Sequence, residues 1–128
     1  MNWQIGNTIT TTWLFTQDDF DEFARLSGDD NPIHVDPAFA ARTRFGRTVA
    51  HGMLLYGAIC GTLSRHFPGA VQLEQRFTFP APTYTDEEMT IQLTVIECLP
   101  GEQLRLSTTI SNPQRQLTCE GETVIRVP

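Results

Sequence analysis

The chain has 128 residues, of which 40% are hydrophobic and 19% are charged, a composition typical of one compact globular domain and unlike that of a disordered chain. Its net charge of -6 and isoelectric point near 4.9 argue against nucleic acid or an anionic membrane surface as the main partner. No stretch nears the ~20 apolar residues of a membrane span, and the three cysteines lack C-x-x-C spacing, so we expect one cytoplasmic domain over residues 1–128.

The first elements are predicted to be a strand and a short helix. Residues 8–15 (TITTTWLF) are rich in β-branched and aromatic side chains, which favours a strand. Thr16 is typical of a helix N-cap, and the acidic residues that follow complement the positive end of a helix dipole. The helix is expected to end near Ser27 and Gly28, because glycine is common at helix C-termini.

Residues 27–36 (SGDDNPIHVD) bring acid, amide and imidazole side chains into ten positions. Gly, Asn and Asp tolerate turn conformations, and Pro32 keeps Asn31 out of the helical region, so no helix or strand should pass through residues 27–32. Loops that carry such groups on a rigid scaffold often hold catalytic residues. The candidates are Asp29, Asp30, Asn31, His34 and Asp36.

Two further helices are predicted. Asp36-Pro37 combines a capping carboxylate with a proline at the first helical position, which favours a helix of one or two turns. Residues 52–66 (GMLLYGAICGTLSRH) are apolar nearly all round, as in a helix that is buried on most of its surface. Gly57 and Gly61 lie on one face of this helix, and we expect a sheet to approach that face closely.

The rest of the chain is predicted to be strands. Val71, Leu73, Phe77 and Phe79 alternate with polar residues, a period of two that indicates a half-buried strand. Similar patterns occupy residues 89–95, 104–110 and 116–127, with turn sequences between them, which favours a four-stranded antiparallel meander. We therefore predict an α+β domain in which a curved antiparallel sheet wraps around a long central helix.

The motif S-G-D-x-N-P-x-H-x-D at residues 27–36, followed by A-H-G-M at 50–53, resembles the MaoC-like, or hydratase 2, family of (R)-specific enoyl-CoA hydratases. The resemblance covers residues 15–127 loosely and 27–55 tightly. It implies the hot-dog fold, a homodimer, and reversible addition of water to trans-2-enoyl-CoA to give (R)-3-hydroxyacyl-CoA, without metal or redox cofactor. It also implies that Asp29 and His34 are the catalytic pair and that Gly52 supplies an oxyanion donor.

The residues themselves can supply this chemistry. Hydration of an unsaturated thioester needs a base for water, a proton source for the α carbon and donors for the developing enolate oxygen. Asp29 and His34 are close enough in sequence to converge on one water, and Gly52 begins a helix, where backbone N–H groups lack partners. Asn31 is expected to orient the loop or His34, His51 to line the site, and Asp30 to be a bystander.

Purely structural roles for these residues, and other functions for the chain, stay open. Asp29 could accept only local backbone hydrogen bonds, and His34 could be a core imidazole bonded to a carbonyl. All nine basic residues are arginines, and Arg42, Arg44 and Arg47 could bind coenzyme A phosphates or be solvated surface charges. A metal bound by Asp29, His34, Asp36 and His51 lacks a recognised ligand spacing, so no metal is expected. The alternative functions are a dehydratase that acts on an (R)-3-hydroxyacyl thioester of acyl carrier protein, and a non-catalytic hot-dog subunit that binds acyl thioesters.

Overall fold

The computed structural model describes residues 2–128 and confirms an α+β domain with a single antiparallel sheet. No helix within these residues is long and apolar enough to cross a bilayer. The elements in chain order are β1 (Thr8–Leu14), α1 (Gln17–Ser27), α2 (Pro32–Val35), α3 (Pro37–Ala41), α4 (Gly52–His66), β2 (Val71–Thr78), β3 (Glu88–Leu99), β4 (Gln103–Ser111) and β5 (Leu117–Arg126).

The strand order is β1-β3-β4-β5-β2, so the predicted four-stranded meander is wrong in one respect. Strands β3, β4 and β5 do form consecutive hairpins, but β2 pairs with β5 and not with β3. The segment between β2 and β3 contains Pro80 and Pro82, which cannot donate ladder hydrogen bonds. This segment carries the chain across the sheet and leaves β2 at one edge.

The burial predicted for β2 is also partly wrong. Val71 and Leu73 are 53% and 38% exposed, although their alternation with polar residues predicted a buried face. A register shift between Gln72 and Glu74 interrupts the pairing with β5. Because a bulge of this kind disturbs the alternation of side chains between the two faces, it accounts for the two exposed apolar residues.

The long helix α4 packs one face against the concave side of the sheet, which is the predicted hot-dog arrangement. Its buried residues join buried apolar side chains of β1, β3, β4 and β5 in one core, and Phe77 of β2 packs against this core. The other face is open: a Cβ added to Gly57 would meet nothing within 4 Å, and one added to Gly61 would meet only Trp13, at 3.8 Å. The expected close approach of a sheet to these glycines is therefore wrong, and α4 is half covered.

Local sequence sets the ends of the short helices. Thr16 and Asp19 form a reciprocal capping box at the start of α1, and Gly28 ends the helix with φ = 81°. One-turn helix α2 was not expected; it begins at Pro32 and is capped by Asn31, whose Oδ1 accepts the Ile33 N–H at 3.2 Å. As a result, His34 is held on a helical turn and not in a loop.

Candidate active site

Four of the predicted site residues meet at the N-terminus of α4. Asp29 comes from the loop after α1, His34 from α2, and His51 and Gly52 from the start of α4. They surround a cavity of about 340 Å³ that we call the motif cavity. The residues lining it are Phe23, Ser27, Asp29, His34, His51, Gly52, Met53 and Phe79.

His34 is buried, and the hydrogen bond of one ring nitrogen determines what the other can do. Its Nδ1 lies 2.7 Å from the Val49 carbonyl oxygen, which can only accept, so Nδ1 carries the proton. In the neutral ring, Nε2 then has a free lone pair. The interpretation of His34 as a buried imidazole bonded to a carbonyl is thus correct for Nδ1, while Nε2 remains available as a base.

The Asp29 carboxylate faces that free nitrogen. Its Oδ2 lies 4.0 Å from His34 Nε2, and its Oδ1 accepts the Asn31 N–H at 3.4 Å. A distance of 4.0 Å is too long for a direct hydrogen bond, but a water molecule ~2.8 Å from each atom would fit. The arrangement can therefore hold one water between a carboxylate and an imidazole.

His51 was predicted only to line the site, but it contacts both Asp29 and His34. Its Nε2 donates to the Asp29 carbonyl at 2.9 Å, and its ring stacks on His34 at 3.8 Å between centroids. Burial lowers the pKa of His51, and the hydrogen bond to Asp29 only partly opposes this shift. We therefore expect a neutral ring at pH 7, with a buried Nδ1 that has no hydrogen-bond partner among residues 2–128.

Gly52 is the first residue of α4, and its N–H donates to no acceptor among residues 2–128. The N-cap residue His51 makes no side-chain capping bond either. This N–H is therefore a free donor at the positive end of a helix dipole. The position of the missing side chain, however, is not empty: an added Cβ would lie 2.6 Å from the Phe79 ring.

Three other polar residues of the motif point elsewhere. Asn31 caps α2 and is exposed, so its position is that of a residue that orients the loop. Asp30 lines a separate surface depression with Asp21 and Arg25. Asp36 caps α3 through the Phe39 N–H at 3.1 Å and does not line the motif cavity.

The three candidate arginines differ in their contacts. Arg47 pairs with Glu87 at 3.3 Å and lies over the Tyr84 ring, while Arg42 donates to the Ala38 carbonyl at 3.0 Å. Arg44 makes no ion pair with residues 2–128 and stacks only on the neighbouring Phe45. Of the three, only Arg44 lines a cavity next to the motif.

Asp29, His34 and His51 also have the donor atoms of a metal site, all within 4.8 Å of one another. The two imidazole planes, however, are stacked with an angle of 23° between them. Ring nitrogen lone pairs lie in the ring plane, so in stacked rings they lie in two separate, nearly parallel planes and converge poorly on one ion. The geometry suits a metal poorly, and the absence of a metal stays a prediction.

Phe79 is the site residue that sequence reasoning missed, because it was assigned to the buried face of β2. It lies beyond the end of β2 at Thr78 and separates the motif cavity from a second cavity of about 280 Å³. The Pro80 that follows it was the available signal, since proline ends a strand ladder. The second cavity is lined by Arg44, Phe45, Val49, Ala50, Gly52, Leu55, Phe79, Pro80, Ala81, Pro82 and Thr83.

Comparison with known proteins shows which family the sequence and fold resemble. The family model described as "MaoC like domain" matches residues 3–114. The (R)-specific enoyl-CoA hydratase of Aeromonas caviae is 34% identical over 98% of this chain and 96% of its own length. A 3-hydroxybutyryl-CoA dehydratase of Methylorubrum extorquens is 34% identical over 98% and 81%. The solved structure of the A. caviae (R)-hydratase superposes with a TM-score of 0.95 at 33% identity, over 99% of this chain and 98% of that one.

Proposed function

The chain belongs to the family of MaoC-like domains, and we propose that it is an (R)-specific enoyl-CoA hydratase, a hydro-lyase that adds water reversibly to trans-2-enoyl-CoA. One observation carries the proposal. His34 Nε2 faces the Asp29 carboxylate at 4.0 Å, beside the free N–H of Gly52. An Asp/His pair that can act as a base and a backbone donor for an oxyanion therefore lie at one cavity.

In the proposed reaction, Asp29 and His34 hold the attacking water. The water oxygen bonds to the β carbon of the enoyl group while its proton passes to the pair. The α carbon then takes a proton from the same pair, so Asp29 and His34 return to their starting state. Because water is added without a change of oxidation state overall, we propose that the enzyme needs no redox cofactor. We also propose that it needs no metal, because Asp29 and His34 can activate the water and the Gly52 N–H can stabilise the charge on the oxygen.

The Gly52 N–H is proposed to bind the thioester carbonyl oxygen. Negative charge develops on this oxygen when water attacks the β carbon, and a fixed donor at a helix N-terminus stabilises it. His51 is proposed to support the pair. It holds the Asp29 backbone through a hydrogen bond at 2.9 Å and packs flat against the His34 ring.

The direct test is loss of the enone absorbance when the protein is mixed with crotonyl-CoA or longer enoyl-CoAs. We expect turnover, and the product should be the (R)-3-hydroxyacyl thioester, which chiral chromatography identifies. Tight binding of enoyl-CoA without turnover would instead favour the non-catalytic binding subunit. An (S)-product would contradict the assigned family activity.

We further propose a homodimer joined through β2 and the open face of α4. β2 is an edge strand with exposed Val71 and Leu73, and Tyr56 of α4 stacks on its Phe77 at 5.1 Å. Met53 on the same side of α4 is 51% exposed. A second copy would pair the edge and cover these apolar residues at once.

Light scattering at micromolar concentration should give about twice the 14.4 kDa mass of one chain. Leu73→Lys should shift the protein toward monomer, because it places a charge in the proposed interface. Ile96→Lys is the matched control, since Ile96 is 39% exposed on β3, which is separated from β2 by strands β4 and β5. A wild-type mass near that of one chain, or equal loss of dimer in both variants, contradicts the proposal.

We propose that the enzyme works in fatty acid metabolism in the cytoplasm. The thioester substrate supports the first part. The three cysteines support the second: all are free, as is expected in a reducing compartment.

A further inference from the structure

We propose that Gln17 is a positioning residue for the Asp29–His34 pair, and that it acts by linking the backbone of His34 to the chain segment that binds the His34 ring. The inference rests on the proposed function and adds a residue outside the motif on which the geometry of the pair depends. Gln17 is the first residue of α1 and is half-buried. It lines neither the motif cavity nor the second cavity, so it acts through His34 and not on the substrate.

Helix α2 is too short to fix His34 by itself. It has four residues, and helices of this length are unstable in isolation because the first turn is costly to form. Within the turn, the Asp36 N–H donates to the Pro32 carbonyl at 3.0 Å, and the His34 N–H donates to the Asn31 carbonyl at 2.9 Å. The Ile33 and His34 carbonyls lie in the last turn, where a helix offers no partners of its own. The position of His34 therefore depends on donors from other elements.

Two donors from elsewhere in the chain take these carbonyls. The Val49 N–H donates to the Ile33 carbonyl at 3.0 Å, and Nε2 of Gln17 donates to the His34 carbonyl at 2.9 Å. The Val49 carbonyl in turn accepts the His34 Nδ1–H at 2.7 Å. Val49 uses only backbone groups in these bonds. Gln17 is thus the side chain that holds α2 from outside, and a substitution can remove it.

The other end of the Gln17 amide closes a circuit of contacts around His34. Its Oε1 accepts the hydroxyl of Thr48 at 2.6 Å, and Thr48 is buried and directly precedes Val49. Gln17 therefore links the His34 carbonyl to the same segment that binds the His34 ring. Because the backbone and the ring are both fixed to this segment, Nε2 of the imidazole keeps its direction toward Asp29 Oδ2, 4.0 Å away.

An amide side chain is the group that fits all of these partners. The His34 carbonyl and the Asp21 carboxylate, which lies 3.0 Å from Nε2, can only accept, so the NH₂ end must face them. Oε1 then faces the Thr48 hydroxyl. A glutamate would place an acceptor against two acceptors, and an asparagine is one methylene shorter. Both N–H groups and the oxygen of Gln17 are thus used.

Gln17→Met tests the role, because methionine has nearly the length of glutamine and makes none of the three hydrogen bonds. We expect kcat for crotonyl-CoA to fall about tenfold and KM to stay within about twofold, since the base is misplaced while substrate binding is kept. Asp21→Ala is the matched control. It removes one bond to the same amide but leaves the bonds to Thr48 and His34, so kcat should stay within about twofold of wild type.

Thr48 gives an independent test through the other end of the amide. Thr48→Val removes the hydroxyl and should lower kcat as Gln17→Met does. Thr48→Ser keeps the hydroxyl, and its kcat should stay near that of the wild type. These two variants decide the question if Gln17→Met does not fold. Equal kcat in Thr48→Val and Thr48→Ser would contradict the circuit of contacts.

Nuclear magnetic resonance of the imidazoles gives a readout that needs no turnover. The chain has three histidines, and the His34 signals are those that are absent from His34→Asn. In Gln17→Met we expect the His34 Nδ1–H to exchange faster with water and the ring signals to broaden, because the ring leaves the Val49 carbonyl more often. Asp21→Ala should leave these signals unchanged.

Unchanged His34 signals in a folded Gln17→Met variant overturn the proposal, and so do equal changes in Asp21→Ala. A loss that appears in KM and not in kcat also overturns it, because Gln17 would then act on substrate binding and not on the base. A wild-type protein that does not turn over enoyl-CoA would refute the hydratase function. The comparison of the His34 signals would still decide whether Gln17 holds His34.

Discussion

Asp29→Asn and His34→Ala should each lower kcat for enoyl-CoA hydration by at least ~10². The reason is geometric: the two side chains face one point, with Oδ2 and Nε2 4.0 Å apart, so removing either removes half of one water-binding site. Steady-state kinetics with crotonyl-CoA measures the effect. The double variant should be little worse than the poorer single one, because groups that act as a unit are strongly non-additive.

Two controls separate chemistry from folding. His34→Ala also leaves the buried Val49 carbonyl unpaired, which costs about 1–3 kcal/mol of stability. In His34→Asn the side-chain amide can still donate to that carbonyl, so this variant should fold well and remain inactive. Asp30→Asn changes the same charge next to the site but outside the motif cavity, and should stay within about threefold of wild type. The assigned roles are wrong if the Asp30 variant is the inactive one. They are also wrong if the loss of kcat in the double variant equals the product of the losses in the Asp29 and His34 single variants.

Gly52→Pro should lower kcat by ~10² to 10³, the usual effect of losing one oxyanion donor. Proline removes the N–H, and the first position of a helix tolerates it. His51 already has φ = -62° and ψ = 137°, the extended backbone that is favoured before proline. The variant should therefore fold, which circular dichroism and thermal melting can check before the kinetics are measured.

The Phe79 ring makes a matched control necessary for this experiment. Any Cβ at position 52 approaches the ring to 2.6 Å, so proline and alanine both displace it. Gly52→Ala keeps the N–H, and the ratio of kcat between the two variants isolates the donor. We expect Gly52→Ala to be the far more active of the two. Equal activities would mean that the Phe79 contact, and not the N–H, explains the loss.

The sequence by itself determined the local features and the chemical character of the site. The N-cap at Thr16, the start of α3 at Asp36, and the span of α4 were all predicted correctly, because each depends on neighbours within a turn or two of helix. The motif that holds Asp29 and His34 is likewise contained within ten residues. Short-range backbone preferences and a long motif therefore sufficed for the family and the fold class, while the catalytic pair stays a prediction.

Only the tertiary structure decided which distant residues meet. The pairing of β2 with β5, the Phe79 ring over Gly52 and the stack of His51 on His34 all join separate elements. The hydropathy of Val71 and Leu73 predicted burial, but a bulge on an edge strand left both exposed. The alternation along one strand shows which residues are apolar, but it does not show which strand or helix will cover them. The covering element depends on the packing of the whole chain.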